Sequence, residues 1–162
     1  MSSIHHWRTV LGIALVGLAA VAASCGGDDG KTDSKSAGDT SATRVNVTMA
    51  DYSLTTALKS VKAGEVRFYA KNTGKVVHEL VIVQSDAKIT ELPVYSDKDK
   101  PAEGHAPGDV DEAKITSEGE VEDIDPGATK DATFVLAAGK YVLICNLASH
   151  YGLGMRVAFT VE

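Results

Sequence analysis

The chain has 162 residues, 16 of them Lys or Arg and 22 Asp or Glu, for a formal charge of −6. That length suits one ordinary domain with some chain to spare. The acidic balance argues against nucleic acid or anionic lipid headgroups as partners.

Met1 to Ser24 reads as an export signal. His5, His6 and Arg8 make a polar start, and Val10 to Ala23 is an apolar run too short to span a bilayer comfortably, ending in small residues. Ala22-Ala23-Ser24-Cys25 then resembles the lipobox of bacterial lipoproteins, in which the Cys is lipidated and becomes the N-terminus after cleavage; Ala22 stands where Leu is usual. An ordinary signal peptide cut nearby, or an uncleaved anchor, is the plainer alternative. From Gly26 to Thr43 there is no large apolar residue, so this stretch cannot bury enough surface to offset its ordering entropy. Residues 25–43 therefore read as a flexible tether carrying a lipidated Cys25, and the expected location is the outer face of the cell membrane or the periplasm. Loss of residues 1–24 leaves 15 basic and 22 acidic side chains, a formal charge of −7.

From Arg44 the composition turns to short strand-like runs. Arg44 to Ala50 sets Val45, Val47 and Met49 against polar neighbours. Ser60 to Lys62 ends in a turn at Ala63-Gly64, and Glu65 to Asn72 carries Val66, Phe68 and Ala70 on one face. After Thr73-Gly74-Lys75, Val76 to Gln84 is a strongly apolar strand. Glu120 to Ile124, Lys130 to Leu136, Lys140 to Asn146 and Met155 to Val161 follow, with turns at Asp125-Pro126-Gly127 and Ala138-Gly139. Seven or eight short strands with Gly and Pro turns predict an all-β, antiparallel β-sandwich over residues 44–162. Between them, residues 85–119 break the rhythm with Pro93, Pro101, Pro107 and many acids. This insert is expected to be a solvated, mobile face, and its His105, close to Gly104 and Pro107, a bystander to metal binding and not a ligand.

The chemistry collects near the C-terminus, in Cys145-Asn146-Leu147-Ala148-Ser149-His150-Tyr151-Gly152-Leu153-Gly154-Met155. Thiol, imidazole and thioether recur as C-x4-H-x4-M on one loop between two strands. Soft sulfur with imidazole suits copper, and two His, one Cys and a weak Met form an electron-transfer site. The second His would be His78. Period-two alternation supports this. His78 shares a face with Val76, Leu80 and Ile82, Cys145 with Tyr141 and Leu143, and Met155 with Val157, Phe159 and Val161. A lone Cys145 in an exported chain also needs an explanation. An inert core thiol or a Cys25–Cys145 disulfide would supply one but would leave the neighbouring His150 and Met155 unexplained.

The order His78, Cys145, His150, Met155 resembles that of the cupredoxins, the small blue-copper proteins such as plastocyanin, azurin and rusticyanin. The Cys-to-His spacing is similar to rusticyanin's and longer than plastocyanin's. The resemblance implies a Greek-key sandwich, one copper ion on those four residues, and a single-electron carrier, not an enzyme. The chain has no further Cys/His clusters for a trinuclear oxidase site and no second loop Cys for a binuclear one. It also implies electron exchange at the His150 edge, where Leu147, Ala148, Tyr151 and Leu153 would form an apolar patch, and a redox partner such as a cytochrome c or an oxidase; the acidic insert would steer a basic partner by long-range attraction. A monomer is expected. Many cupredoxins brace the Cys loop with Asn or Ser after the first His. Here Glu79 stands there, pointing by strand phase away from His78; ligation by it would resemble the red-copper variants instead. The alternative function is copper storage or delivery, which generally uses more Met than the three present.

Overall fold

A computed structural model describes residues 42–162. The proposed leader, Cys25 and all but the end of the tether lie outside the described residues. Nine strands fold into two sheets: β1 Thr43–Ala50, β2 Ser53–Thr56, β3 Ser60–Val61, β4 Gly64–Asn72, β5 His78–Gln84, β6 Thr116–Ile124, β7 Thr129–Leu136, β8 Gly139–Ile144 and β9 Arg156–Val161. One sheet has the order β2-β1-β4-β7, the other β3-β9-β8-β5-β6. The predicted sandwich is present, and β2 is an additional strand that the alternation did not isolate. Two neighbouring pairs, β1 with β4 and β3 with β9, run parallel, while the remaining ladders are antiparallel. Side-chain alternation is the same in either direction and carries no signal for this.

The main core lies between the sheets. Val45, Val47, Met49, Val66, Phe68 and Ala70 from one sheet meet Leu80, Ile82, Tyr141, Leu143, Phe159 and Val161 from the other. Phe68 sits at its centre, edge-on to Phe159 with ring centroids 5.5 Å apart and tilted against Phe134 at 6.2 Å. His78, Cys145 and Met155 lie at one end of this layer, each 0% exposed.

The insert is not a solvated face throughout, contrary to the sequence expectation. A second core forms on the outer side of the β5–β8 pair, where Val81, Val83, Val142 and Ile144 pack against Leu92 and Val110 of the insert and against Tyr151. Both faces of β5 and β8 are thus buried, the condition under which strands read as continuous apolar runs. A bridge between Val94 and Val110 closes the insert on itself, and a 3-10 turn at Glu112–Lys114 leads into β6. The strand predicted from Val76 begins instead at His78, and Val76 and Val77 are 39% and 37% exposed. The reason is local. The Asp51 carboxylate accepts from the Lys75 and Val76 amides, so those amides are not available to a ladder.

Phe68→Ala should cost about 3–5 kcal/mol in a denaturant titration of the metal-free protein, because the core between two paired sheets cannot collapse onto the void. Val135→Ala, at a position 74% exposed, should change stability by no more than about 0.5 kcal/mol. Equal effects at the two positions would mean that the sheets do not pack as described.

Candidate metal centre

Three donors from two chain regions converge. His78 opens β5 and turns inward with Leu80 and Ile82. Cys145 follows β8 directly, in phase with Tyr141 and Leu143. His150 opens a single helical turn, α1 His150–Leu153, which Gly154 ends at φ 119°, a conformation that favours glycine. The loop's two ends are tied together, since the Cys145 amide donates to the Met155 carbonyl at 3.0 Å and the Met155 amide donates to the His150 carbonyl at 3.1 Å.

The two Nδ1 atoms of His78 and His150 are 3.3 Å apart. Cys145 Sγ lies 3.3 Å from Nδ1 of His150 and 3.9 Å from Nδ1 of His78. Among the described residues, this is the group of side chains whose donor atoms approach closely enough to share an ion, all within 4.8 Å of one another. Ligand bonds of about 2.0–2.3 Å would place three coplanar imidazole and thiolate donors about 3.5–3.9 Å apart, so the observed triangle fits one metal ion. Its chemistry fits as well. A single proton cannot satisfy three lone pairs aimed at one point, whereas a soft cation can. Met155, fully buried and hydrogen-bonded through its backbone to both loop ligands, completes the predicted set.

Burial governs the charge states. It lowers the pKa of His78, an effect strengthened by the nearby His150 ring and opposed by Asp51. It lowers that of His150 against the opposing pull of Asp109 and Asp51. Burial pushes the Cys145 thiol up to about 11. The metal-free site is therefore neutral near pH 7, and a bound metal must displace the thiol proton.

Glu79 does not join the group. Its backbone amide donates to Cys145 Sγ at 3.5 Å, and its carboxylate accepts from the Asn146 amide at 3.0 Å. The bracing that Asn or Ser would provide is thus supplied by a carboxylate, whose pKa burial pushes up to about 7 against the pull of the Asn146 amide.

The insert clamps the same loop. The buried Asn146 side chain accepts from the Val110 amide at 2.8 Å and donates to the Val110 carbonyl and to Glu112. The buried Asp109 carboxylate accepts from the Ser149 amide at 2.8 Å, holding a residue whose φ of 70° is unusual for Ser. His105 lies outside the donor group and faces the Asn146 carbonyl through Nδ1 at 3.1 Å, which adds it to this clamp. The apolar patch also differs from expectation. Leu153 is 57% exposed, but Tyr151 is 3% exposed, with its hydroxyl donating to the Ile89 carbonyl. Tyr52 takes a place beside the site that sequence reasoning missed, its ring edge-on to His150 at 5.3 Å between centroids.

The sequence profile described as copper-binding proteins of the plastocyanin/azurin family matches residues 35–162. Among solved structures, the chain is similar to a dithionite-reduced auracyanin from the photosynthetic bacterium Roseiflexus castenholzii. The identity is 24% and the TM-score 0.52, over 75% of this chain and 98% of that one. It is likewise similar to auracyanin B, at 23% identity and a TM-score of 0.54, over 75% of this chain and 89% of that one. No curated protein matches the chain.

Asn146→Ala should leave the buried Val110 amide and carbonyl without partners, each worth about 1–3 kcal/mol when unsatisfied. Hydrogen exchange at Val110 should accelerate at least tenfold while the β4 amides stay protected. Unchanged exchange at Val110 would show that the insert is held by its apolar contacts alone.

Proposed function

The chain belongs to the plastocyanin/azurin family of copper-binding proteins, and from that premise we propose that it carries single electrons through one copper held by His78, Cys145, His150 and Met155. The observation supporting this most strongly is the buried triangle of two imidazole nitrogens and one thiol. A bound copper supplies a one-electron couple between its monovalent and divalent states. The protein's part is to keep the donors still. His78 is paired with Ile124 of β6, Cys145 directly follows β8, and the loop is tied at both ends and clamped by the insert. Ligands on such elements move little when charge changes, which keeps the reorganisation small. Cys145 serves as the thiolate, His78 and His150 as neutral imidazoles, and Met155 as the weak fourth donor that tunes the potential.

In this reading electrons enter and leave at His150, which is 9% exposed and flanked by the exposed Tyr52 and Leu153. A basic redox protein such as a cytochrome c or an oxidase is the proposed partner, steered by the negative net charge. Export and anchoring through a lipidated Cys25 complete the proposal. They rest on the apolar leader and small residues before Cys25 and the tether after it.

Copper-loaded oxidised protein should absorb intensely in the visible through thiolate-to-copper charge transfer, and Cys145→Ser should abolish the band. A colourless wild type, or colour that survives without Cys145, would remove the basis of the assignment. Met155→Leu should keep copper bound and raise the reduction potential, since Leu fills a similar volume while the donor that favours divalent copper is lost. Loss of copper from that variant would favour copper handling over electron carriage. For the anchor, Cys25→Ala should release the protein from membranes or leave its leader uncut; wild-type protein recovered soluble, with no lipid on Cys25 by mass spectrometry, would contradict it.

A further inference from the structure

The hairpin turn between β1 and β2 is only two residues long, with Ala50 paired to Ser53, and both of its side chains go to the metal centre. Tyr52 packs on His150. Asp51 reaches His78, with Oδ1 3.4 Å from Nε2. That nitrogen is completely buried and has no formed hydrogen bond. The opposite nitrogen, Nδ1, is the one that faces Cys145 and His150.

The carboxylate is held in place by a built pocket. The Lys75 amide donates to both of its oxygens at 2.9 and 3.0 Å, and the Val76 amide approaches Oδ1 at 3.4 Å. Residue 74 must be Gly, since a Cβ there would overlap the Asp51 carboxylate. From the other side, buried Asn72 donates to the Val76 and Ile124 carbonyls at 2.7 Å and accepts from the Gly74 amide. The turn leading into His78 is thus wrapped around Asp51 before the ring is reached.

We propose that Asp51 is the positioning residue of the metal centre: its carboxylate keeps the His78 proton on Nε2, and so leaves the Nδ1 lone pair bare and aimed at the metal. A neutral imidazole carries one proton on one of two nitrogens, and the hydrogen bond made by the far nitrogen decides which. Here the acceptor facing the far nitrogen is Asp51 Oδ1. At 3.4 Å the contact is long and is not aligned as a formed bond is, so the ring has to turn toward Oδ1 to make one. A carboxylate in this position also makes the imidazole a stronger donor and adds a negative charge beside the ligand ring, which favours the more highly charged metal state. The inference rests on His78 being a copper ligand, yet its first consequence can be read without copper.

The test uses the full chain, metal-free, with nitrogen-15 NMR of the His78 ring. The proton should reside on Nε2 in the wild type. Asp51→Ala should give a mixture of tautomers and weaken copper binding, measured by competition with a chelator, by about 10–100-fold. Asp51→Asn keeps an oxygen acceptor but loses the charge. It should restore the tautomer and, once loaded, shift the redox equilibrium several-fold toward the reduced form. Should Asp51→Ala fail to fold, Asp51→Asn decides alone, and an unchanged potential there overturns the proposal. A wild-type proton on Nδ1 overturns it too, as does an Asp51→Ala variant with tautomer and affinity both intact. A merely structural Asp51 would lower thermal stability without moving the tautomer or the potential. If the wild type shows the Nε2 proton but takes up no copper, the functional reading fails while the orienting role of Asp51 stands.

Discussion

Three lone-pair donors aimed at one buried point, 3.3 to 3.9 Å apart, do not gather there unaided. Each has been taken out of water, and together they offer almost no hydrogen to share, so their approach is unfavourable until a cation arrives. Something must hold them against that cost. The β5–β6 ladder fixes His78, β8 leads directly into Cys145, and the backbone bonds among Cys145, His150 and Met155 close the loop into a ring. The neutrality that burial imposes on both histidines removes the repulsion that two imidazolium rings would otherwise exert on each other.

The outer layer has the same purpose at longer range. Asn146 and Ser149 are the residues next to Cys145 and His150, and each is bonded to the insert, one through Val110 and Glu112, the other through Asp109. The insert is in turn seated by Leu92 and Val110 on the outer face of β5 and β8. Glu79 adds a third restraint through the Asn146 amide. A loop that would be mobile by itself is thereby coupled to two separate cores, and displacing either ligand means breaking bonds buried on its far side.

Much of this was legible in the chain. The alternation around His78, Cys145 and Met155 placed all three inward, and the C-x4-H-x4-M spacing placed His150 within reach of the other two. Less legible was everything set by contacts across the fold. The run Leu80-Val81-Ile82-Val83 has no polar face, and with Val142 and Ile144 it signalled that both sides of the sheet are covered. Read that way, it predicts that the insert docks; weighing the insert's own acids and prolines hid it. Tyr151 was assigned to the surface because loop residues lack periodicity, and it turned into the second core instead. Asp51 is 27 positions before His78 in an unremarkable turn, and only the bonding of that turn to the Lys75 and Val76 amides ahead of β5 brings them together.

The central claim is that the donors are held where they are by the protein, whatever charge sits between them. Crystal structures of the metal-free, monovalent-copper and divalent-copper forms, grown under the same conditions, address it most directly. The account predicts that the distances among His78 Nδ1, His150 Nδ1 and Cys145 Sγ agree across the three forms to within about 0.5 Å, with Asp109 still on Ser149 and Asn146 still on Val110. A site in which His150 swings out, or in which residues 145–155 repack between oxidation states, would contradict it.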